Sequence, residues 1–455
     1  MRERGWHARA AGTLHAATGR GTNLWFPQVG CGQTPKESQP PPAKASLPRE
    51  FPGCRAFHPL PVAYHDPGMS PIPPRPRRRL LRILLGCTVS LTLCLGLLEI
   101  ALRLLPQPVP QLRQIESLRG FYQLDGEGRL EVAPNWSGTV AVDGRTTTLR
   151  TNAIGLRGGE PAAGRPRILV LGDSFAMGMG VEEQEAIPAR LEAQLRTRGM
   201  DAVVGNAGMW GTSPREWPHT LARFRETFRP DAVVALCYAG NDPADLVAGP
   251  LTVVDGYPID GATAHMVAQS WRWRLGLRWR TWWYFEMLFL VRRAPIHVAP
   301  RSSLLPTGVS PFEGYFLDVA QPAEALAPWL PAFDALFTSS MTALRDAAGA
   351  LPTLLVVLPG REASSPALYA AGLQRFLAGS GIGAERAADF AAGNGSHRLA
   401  RLASAAGLRT LDLTDPILAQ ACLDEMYLSD YHYTPLGCNH VAGWIAEAAA
   451  SMLAR

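Results

Sequence analysis

The stretch Arg167-Ile-Leu-Val-Leu-Gly-Asp-Ser174 decides the fold of this chain. Its apolar run, residues 168–171, is short, unbroken and followed by the turn formers Gly172 and Asp173, which predicts a strand buried on both faces. Such strands belong to parallel sheets, and ligands bind beside their carboxyl ends. Ser174 therefore stands where a functional side chain is expected, although a lone Gly-Asp-Ser triplet is most often an ordinary turn.

The same strand pattern recurs downstream and alternates with helical stretches. Further apolar runs lie at 202–204, 232–236, 354–358 and 408–413, and helices are predicted near 187–198, 213–228, 330–349, 386–406 and 438–454. This alternation predicts a doubly wound α/β domain over 165–455, with three α/β/α layers around a flavodoxin-like, parallel five-stranded sheet. The gap at about 243–325 is too long for a plain connection and indicates an insertion.

The insertion contains a stretch dense in tryptophan and arginine, residues 271–293. Two interpretations are open. The stretch could lie on a membrane surface, or it could be a cap helix packed over the sheet. We favour the cap, because an amphipathic pattern more often faces a protein core.

An apolar stretch with a basic flank precedes the domain. Residues 80–105 are predicted to form a transmembrane anchor, since about 20 apolar residues cross a bilayer. The arginines before it predict a single-pass inner-membrane protein with its N-terminus inside and its catalytic domain in the periplasm. A cleaved signal peptide fits less well, because no small-residue cleavage site follows the run, and a lipoprotein signal fits less well, because Cys87 lies inside the apolar run and not at its end. Residues 106–164 are expected to be a linker and N-terminal extension.

Residues 1–78 are basic and rich in proline, without helical or strand periodicity, and we expect them to be disordered. Met69 begins a short basic segment ahead of the anchor, so we hypothesise that Met69 is the true start.

The charge and the cysteine content bear on which partners and cofactors the chain is expected to bind. The net charge of +5 comes without a Lys/Arg stripe interleaved with aromatics, so nucleic acid is not an expected partner. The seven cysteines form no zinc-type spacing, and neither a metal nor another cofactor is predicted. Cys422 and Cys438 flank a histidine-bearing loop, and we expect a disulfide between them outside the cytoplasm.

Three further polar blocks follow predicted strands or precede the last helix. They are Asn206-Ala-Gly-Met-Trp-Gly211, Tyr238-Ala-Gly-Asn241 and Ser429-Asp430-Tyr-His432. With Ser174, they give Ser, Gly, Asn and His in that order. In this respect the chain resembles the SGNH (GDSL-like) hydrolase family over roughly residues 150–455, and the anchor resembles that of its membrane-tethered members.

The resemblance implies a serine ester hydrolase. Ser174 would be the nucleophile, His432 its base, and Asp430 the acid that orients His432. The amides of Ser174 and Gly211 and the side chain of Asn241 would form the oxyanion hole. Gly208 is an alternative to Gly211.

Two departures from the family pattern bear on these roles. The family's usual spacing is Asp-x-x-His, whereas Asp430 lies two residues before His432. This form is similar to the alginate acetyltransferase-like branch, with Tyr433 in place of a tryptophan. In addition, Gly240 directly precedes Asn241 instead of lying two residues before it.

The expected function is hydrolysis of O-acyl esters, in particular O-acetyl esters, of a carbohydrate or lipid. Transfer of the acyl group to cell-wall or exported polysaccharide is the first alternative, because the same acyl-enzyme serves both reactions. A catalytically silent binding subunit of a glycan export assembly is the second. The sequence leaves the substrate and the oligomeric state open.

Overall fold

The computed structural model describes residues 77–104, 116–142, 145–260, 264–265, 268–285, 317–319, 330–380 and 383–454. Met69, which we hypothesise to be the true start, lies outside these residues. So does the segment 1–78 that we expect to be disordered, except for Arg77 and Arg78, which begin a helix.

The strands and helices are as follows in chain order. The strands are β1 (Tyr122–Leu124), β2 (Leu130–Val132), β3 (Ser137–Val142), β4 (Arg145–Arg150), β5 (Arg167–Gly172), β6 (Val203–Gly208), β7 (Ala232–Tyr238), β8 (Leu251–Val254), β9 (Tyr257–Asp260), β10 (Thr353–Leu358) and β11 (Arg409–Asp412). The helices are α1 (Arg77–Leu104), α2 (Ser174–Met177), α3 (Ile187–Thr197), α4 (Trp217–Thr227), α5 (Asp242–Ala248), α6 (Trp271–Arg278), α7 (Arg280–Phe285), α8 (Leu330–Ala348), α9 (Pro366–Ser380), α10 (Asn394–Ala405), α11 (Thr414–Leu418) and α12 (Pro435–Leu453).

The central sheet has five parallel strands in the order β6-β5-β7-β10-β11. The register pairs Val170 with Asn206 on one side of β5 and Leu171 with Ala235 on the other. This is the flavodoxin-like order, in which the chain reverses direction between β5 and β7. The predicted doubly wound α/β fold is confirmed.

Both faces of the sheet are covered, because successive strand residues point to opposite sides. Ile168 and Val170 enter a core with helices α3 and α12. Leu169 and Leu171 enter a second core with helices α4, α8 and α10. All four of these side chains are fully buried, which explains why β5 is a continuous apolar run.

Some boundaries differ from the predicted ones. Strand β6 continues past the apolar run 202–204 to Gly208, because Asn206 and Gly208 extend the ladder with β5. Helix α10 begins at Asn394 and not at residue 386, because Gly393 has a left-handed backbone, φ +84°, and the helix does not extend through it. Helix α9 was not predicted at all.

The N-terminal extension contributes two antiparallel hairpins, β1–β2 and β3–β4. They form a core of their own that includes Met177 and Met179, just after Ser174, and Leu428, just before the His432 loop. The extension therefore packs directly beside the two loops that carry the candidate catalytic residues.

Helix α1 presents its apolar side chains outward. The stretch Arg79–Leu104 has a mean hydropathy of 2.1, and it is the one described helix long and apolar enough to cross a membrane. Signal sequences and buried core helices pass the same test, but only 6% of the apolar window is buried here. Membrane insertion of α1 stays a prediction.

The hairpin and the Trp/Arg-rich helices of the insertion pack on other elements than expected. The hairpin β8–β9 joins Trp273 of α6 in a small core with Tyr257 and Ile259. Helix α7 lies against helix α1. All members of this small core come from the insertion, and none comes from the five-stranded sheet. The sequence pattern favours a cap helix packed over that sheet instead.

Candidate active site

Ser174 begins helix α2 immediately after strand β5 and is almost fully buried. Asp173 caps this helix, because its carboxylate accepts a hydrogen bond from the Phe175 amide at 2.9 Å. A Cβ at Gly208 would lie 2.1 Å from the Met177 nitrogen, so only glycine lets strand β6 approach the turn this closely. The Ser174 turn is thus fixed by its neighbours on two sides.

The structure brings Ser174, His432 and Asp430 together although 258 residues separate the first two. His432 Nε2 lies 2.9 Å from Ser174 Oγ. On the other side of the ring, His432 Nδ1 lies 2.9 Å from Asp430 Oδ2. In this arrangement a neutral imidazole can accept the serine proton while the carboxylate holds its other nitrogen.

Tyr431 separates the acid from the histidine and has φ +77°, in the left-handed region. This conformation is rare for a bulky residue and costs roughly 1–2 kcal/mol. It reverses the chain locally, so Asp430 also accepts a hydrogen bond from the His432 amide at 3.3 Å. The left-handed turn is how a two-residue spacing brings the carboxylate onto the ring.

An aromatic group supports the His432 ring. Phe175 stacks on Tyr238 with ring centroids 3.8 Å apart. The Phe175 ring also lies 5.2 Å from the His432 ring and 5.0 Å from that of Tyr433. The imidazole is therefore packed from the side of the nucleophile turn, which limits its rotation away from Ser174.

Arg361 is a residue of the site that sequence reasoning missed. Its amide donates to the Tyr238 hydroxyl at 3.0 Å, and its guanidinium donates to the Leu428 carbonyl at 2.7 Å. The same guanidinium lies over the rings of Tyr427 and Tyr431. Arg361 thus ties the histidine loop to the sheet. The available signal was its position just after the fourth parallel strand, at the edge where ligands bind.

Two backbone amides are available for an oxyanion. Within the described residues, the Ser174 and Gly211 amides donate no hydrogen bond. The Gly208 amide is already used, because it donates to Asn206 Oδ1 at 3.0 Å. Gly211 is therefore the better candidate of the two glycines, and its φ of +71° requires a residue tolerant of the left-handed region.

Asn241 follows strand β7 and is the N-cap residue of helix α5. Its Nδ2 donates to Asp245 Oδ2 at 2.8 Å, and the Asn241 side chain also hydrogen-bonds the Asp173 carboxylate behind the nucleophile. Its Oδ1 is buried and has no partner among the described residues. Strands β5 and β7 are neighbours at the point of chain reversal, so Asn241 and Ser174 lie at the same sheet edge.

Two buried carboxyl groups lie behind the nucleophile. Burial raises the pKa of Asp173, while the hydrogen bond from Phe175 and the nearby His432 oppose that rise. Burial and the charge of Asp173 raise the pKa of Asp242, which accepts a hydrogen bond from the Tyr238 amide at 2.8 Å. Both carboxyl groups accept hydrogen bonds from backbone amides next to the site and so help to fix its backbone.

Arg157, in the N-terminal extension, holds the loop that follows the nucleophile helix. Its guanidinium is buried and donates to the carbonyls of Met177, Gly178 and Val181, the last two at 2.7 Å. Burial lowers the pKa of Arg157 to about 10, so the group still carries its charge at neutral pH. Sequence reasoning did not assign Arg157 a role.

The expected disulfide is absent, and Cys422 and Cys438 are both free thiols. Cys422 Sγ lies 3.8 Å from His440 Nε2 on helix α12. Side chains two residues apart on a helix point in different directions, so Cys438 faces the core when His440 faces Cys422. Burial raises the pKa of Cys438 to about 12.

One described group has the spacing of metal ligands. Ligand atoms of Asp125, Glu131 and His219 lie within 4.8 Å of one another. However, Arg129 is 2.9 Å from Asp125, and Arg223 is 3.5 Å from Glu131. Because arginine charges already balance both carboxylates, this group is an ion-pair network and not a metal site.

Comparison with known proteins gives structural neighbours only. No family model and no curated protein matches the chain in sequence. The structure is similar to a lipase/acylhydrolase from Enterococcus faecalis, with 12% identity over 63% of this chain and 96% of that chain and a TM-score of 0.32. It is also similar to the psychrotrophic esterase EstA from Pseudoalteromonas sp., with 12% identity over 64% and 99% of the two chains and a TM-score of 0.30. A third neighbour is the acetyl xylan esterase AlAXEase, with 13% identity, 62% and 98% coverage and a TM-score of 0.29. These values are too low to transfer an activity, so the chemistry rests on the geometry of the site.

Proposed function

We propose that this chain is a serine ester hydrolase of the SGNH type that cleaves O-acyl esters, in particular O-acetyl esters, of a carbohydrate or lipid. One observation carries the proposal. His432 makes two contacts of 2.9 Å, with Ser174 Oγ through one ring nitrogen and with Asp430 through the other. A serine hydroxyl is a weak nucleophile until a base takes its proton, and this arrangement supplies the base and its orienting acid.

The reaction follows from these contacts. Ser174 Oγ attacks the ester carbonyl carbon while its proton moves to His432 Nε2. Asp430 stabilises the imidazolium that forms. Collapse of the tetrahedral intermediate expels the alcohol, which takes the proton from His432. Water then attacks the acyl-serine with His432 again as base, and the acid product and the free serine are released.

The negative charge on the intermediate needs hydrogen-bond donors. The Ser174 and Gly211 amides and the Asn241 side chain would supply them at the sheet edge. Fixed donors of this kind stabilise the transition state without reorganisation, and removal of one typically costs about a hundredfold to a thousandfold in rate.

Helix α1 would anchor the enzyme. Its mean hydropathy of 2.1 and its exposed apolar surface support a single membrane span. The arginines on its N-terminal side support an N-terminus inside the inner membrane and a catalytic domain outside the cytoplasm.

The test is hydrolysis of p-nitrophenyl acetate by the full chain in detergent micelles. We expect turnover that is lost in Ser174→Ala and kept in Ser339→Ala, a serine on the exposed face of helix α8. Turnover that appears only when a sugar acceptor is added would replace hydrolysis by acyl transfer. Equal background rates in wild type and Ser174→Ala would contradict the proposal and favour a silent binding subunit.

A further inference from the structure

Helices α6 and α7, with Trp279 between them, expose large aromatic side chains to solvent. Trp271 is 61% exposed, Trp279 50% and Phe285 44%. The stretch from Trp271 to Phe285 also contains four arginines and no acidic residue. Such a surface is costly in water, and its composition is typical of protein segments at the boundary between lipid headgroups and hydrocarbon.

A buried carboxylate joins this segment to helix α1. Glu99 is only 7% exposed, although it lies on a helix whose apolar residues are mostly exposed. Its oxygens accept hydrogen bonds from the Arg280 amide at 3.0 Å, the Thr281 amide at 2.8 Å and the Thr281 hydroxyl at 2.7 Å. Glu99 therefore caps helix α7 from within helix α1.

Two arginines complete the junction. Arg103 bonds to Glu99 at 2.7 Å and donates to the Arg278 carbonyl at 2.6 Å. Arg280 donates back to the Leu102 carbonyl at 3.1 Å. These contacts run in both directions between the helices, so the position of α7 along α1 is fixed near residues 99–103.

That position coincides with the end of the apolar span. The 20 residues 80–99 form about 30 Å of helix, which is the thickness of the hydrocarbon core of a bilayer. If α1 spans the membrane as proposed above, Glu99 lies at the outer hydrocarbon boundary. The exposed tryptophans of α6 and α7 then lie at the same depth as the headgroups.

We propose that helices α6 and α7 form a membrane-interface collar, held to the anchor by Glu99, that rests on an anionic phospholipid surface. The inference rests on the membrane anchoring in the proposed function. Two observations select the lipid. Arg274 and Arg278 are exposed beside the tryptophans, and the stretch from Trp271 to Phe285 has four arginines and no acidic residue in its sequence. A cationic surface rimmed with tryptophan is complementary to acidic headgroups.

The experiment is photo-crosslinking of the full chain in phospholipid vesicles. The photoreactive residue p-benzoylphenylalanine replaces Trp271 or Trp279 in the collar. The same residue at Leu93, exposed on α1, reports insertion of the anchor, and at Leu368, exposed on α9, it serves as the negative control. Each protein is irradiated in vesicles of phosphatidylcholine alone and in vesicles that also contain phosphatidylglycerol, and lipid adducts are identified by mass.

We expect adducts at positions 93, 271 and 279 and none at 368, with more collar adduct when phosphatidylglycerol is present. Adducts at 93 without adducts at 271 and 279 would overturn the collar while leaving the anchor in place. The absence of adducts at 93 would overturn the anchor and the collar with it, but would leave ester hydrolysis untouched. Equal collar adducts in both vesicle types would overturn the assignment of an anionic lipid.

A second pair of variants tests the role of Glu99. In Glu99→Ala, helix α7 loses its cap, and we expect the adduct at position 279 to fall while that at position 93 stays. Thr92→Ala is the matched control, because the Thr92 hydroxyl donates to the Thr88 carbonyl of its own helix. An unchanged adduct at 279 in Glu99→Ala would show that Glu99 does not hold the collar.

Discussion

Asp430 and His432 face each other across a single residue, with 2.9 Å between Oδ2 and Nδ1. The intervening Tyr431 makes this possible by its left-handed backbone, φ +77°. Backbone strain of this kind persists only where the surroundings hold it in place. Here Arg361 lies over the Tyr431 ring and bonds to the Leu428 carbonyl, so the loop is held from the fourth parallel strand.

The first prediction concerns this strained residue. Tyr431→Gly should retain most of the wild-type kcat, because glycine adopts a positive φ without penalty. Tyr431→Val should lower kcat by at least about tenfold, since a β-branched residue strongly disfavours this conformation. Hydrolysis of p-nitrophenyl acetate measures both. Equal activities of the two variants would show that the left-handed turn does not position Asp430.

The second prediction concerns the oxyanion donor Asn241. Asn241→Ala should lower kcat by about a hundredfold to a thousandfold with little change in KM, because the lost hydrogen bond acts on the transition state. The control is Asn439→Ala on the exposed face of helix α12. A loss confined to KM in Asn241→Ala would place Asn241 in substrate binding instead.

The third prediction concerns Arg157. Arg157→Ala should lower the free energy of unfolding by about 3 kcal/mol, because three buried carbonyls lose their donor. Arg157→Lys should restore little of this, since an ammonium group lacks the planar fork that reaches separate carbonyls. Urea unfolding in detergent gives the values. The exposed Arg198→Ala is the control, and an Arg157→Ala protein as stable as this control would contradict the prediction.

The fourth prediction concerns pH and Asp318. Burial raises the pKa of Asp318 to about 7, against hydrogen bonds from Gly395 and Tyr369 that lower it. The folded state therefore binds the proton more tightly than the unfolded state, whose pKa is about 3.9. Below pH 4, Asp318 is protonated in both states and does not change the free energy of unfolding. Between pH 4 and 7 only the unfolded state loses the proton, so the folded state becomes progressively less stable. Above pH 7 this loss of stability is constant.

Asp318→Asn removes this titration. The variant should gain stability relative to wild type as pH rises from 4 to 7, up to about 4 kcal/mol, and the difference should then level off. Urea unfolding at several pH values measures it, with the exposed Asp346→Asn as control. A difference that shrinks as pH rises would have the wrong sign and would contradict the burial of a neutral Asp318.

The sheet and its polar blocks were predictable because their signals are local. A strand buried on both faces must be a continuous apolar run, as residues 168–171 are, and the residues after such strands meet at one edge of the sheet. Ser174, Gly211 and Asn241 could be placed at that edge for this reason. The choice of Gly211 over Gly208 as oxyanion donor needed the structure, because only the structure shows that the Gly208 amide already donates to Asn206.

Other features depend on contacts between distant residues. The identity of Tyr431 does not predict its left-handed backbone. Likewise, the sequence around Arg157 does not show that its partners lie 20 to 24 residues away in the nucleophile loop. The expected bridge between Cys422 and Cys438 fails for a similar reason. Sequence proximity to the histidine loop does not show that Cys438 points from helix α12 into the core while Cys422, outside that helix, lies against His440.

The central claim is that Ser174 is a nucleophile activated by His432. The most direct measurement is labelling of the full chain with a fluorophosphonate ester, followed by peptide mapping by mass spectrometry. The account predicts one phosphonyl group, located on the peptide that contains Ser174, and no labelling in Ser174→Ala or His432→Ala. Labelling of another residue, or labelling of Ser174 that persists in His432→Ala, would contradict it.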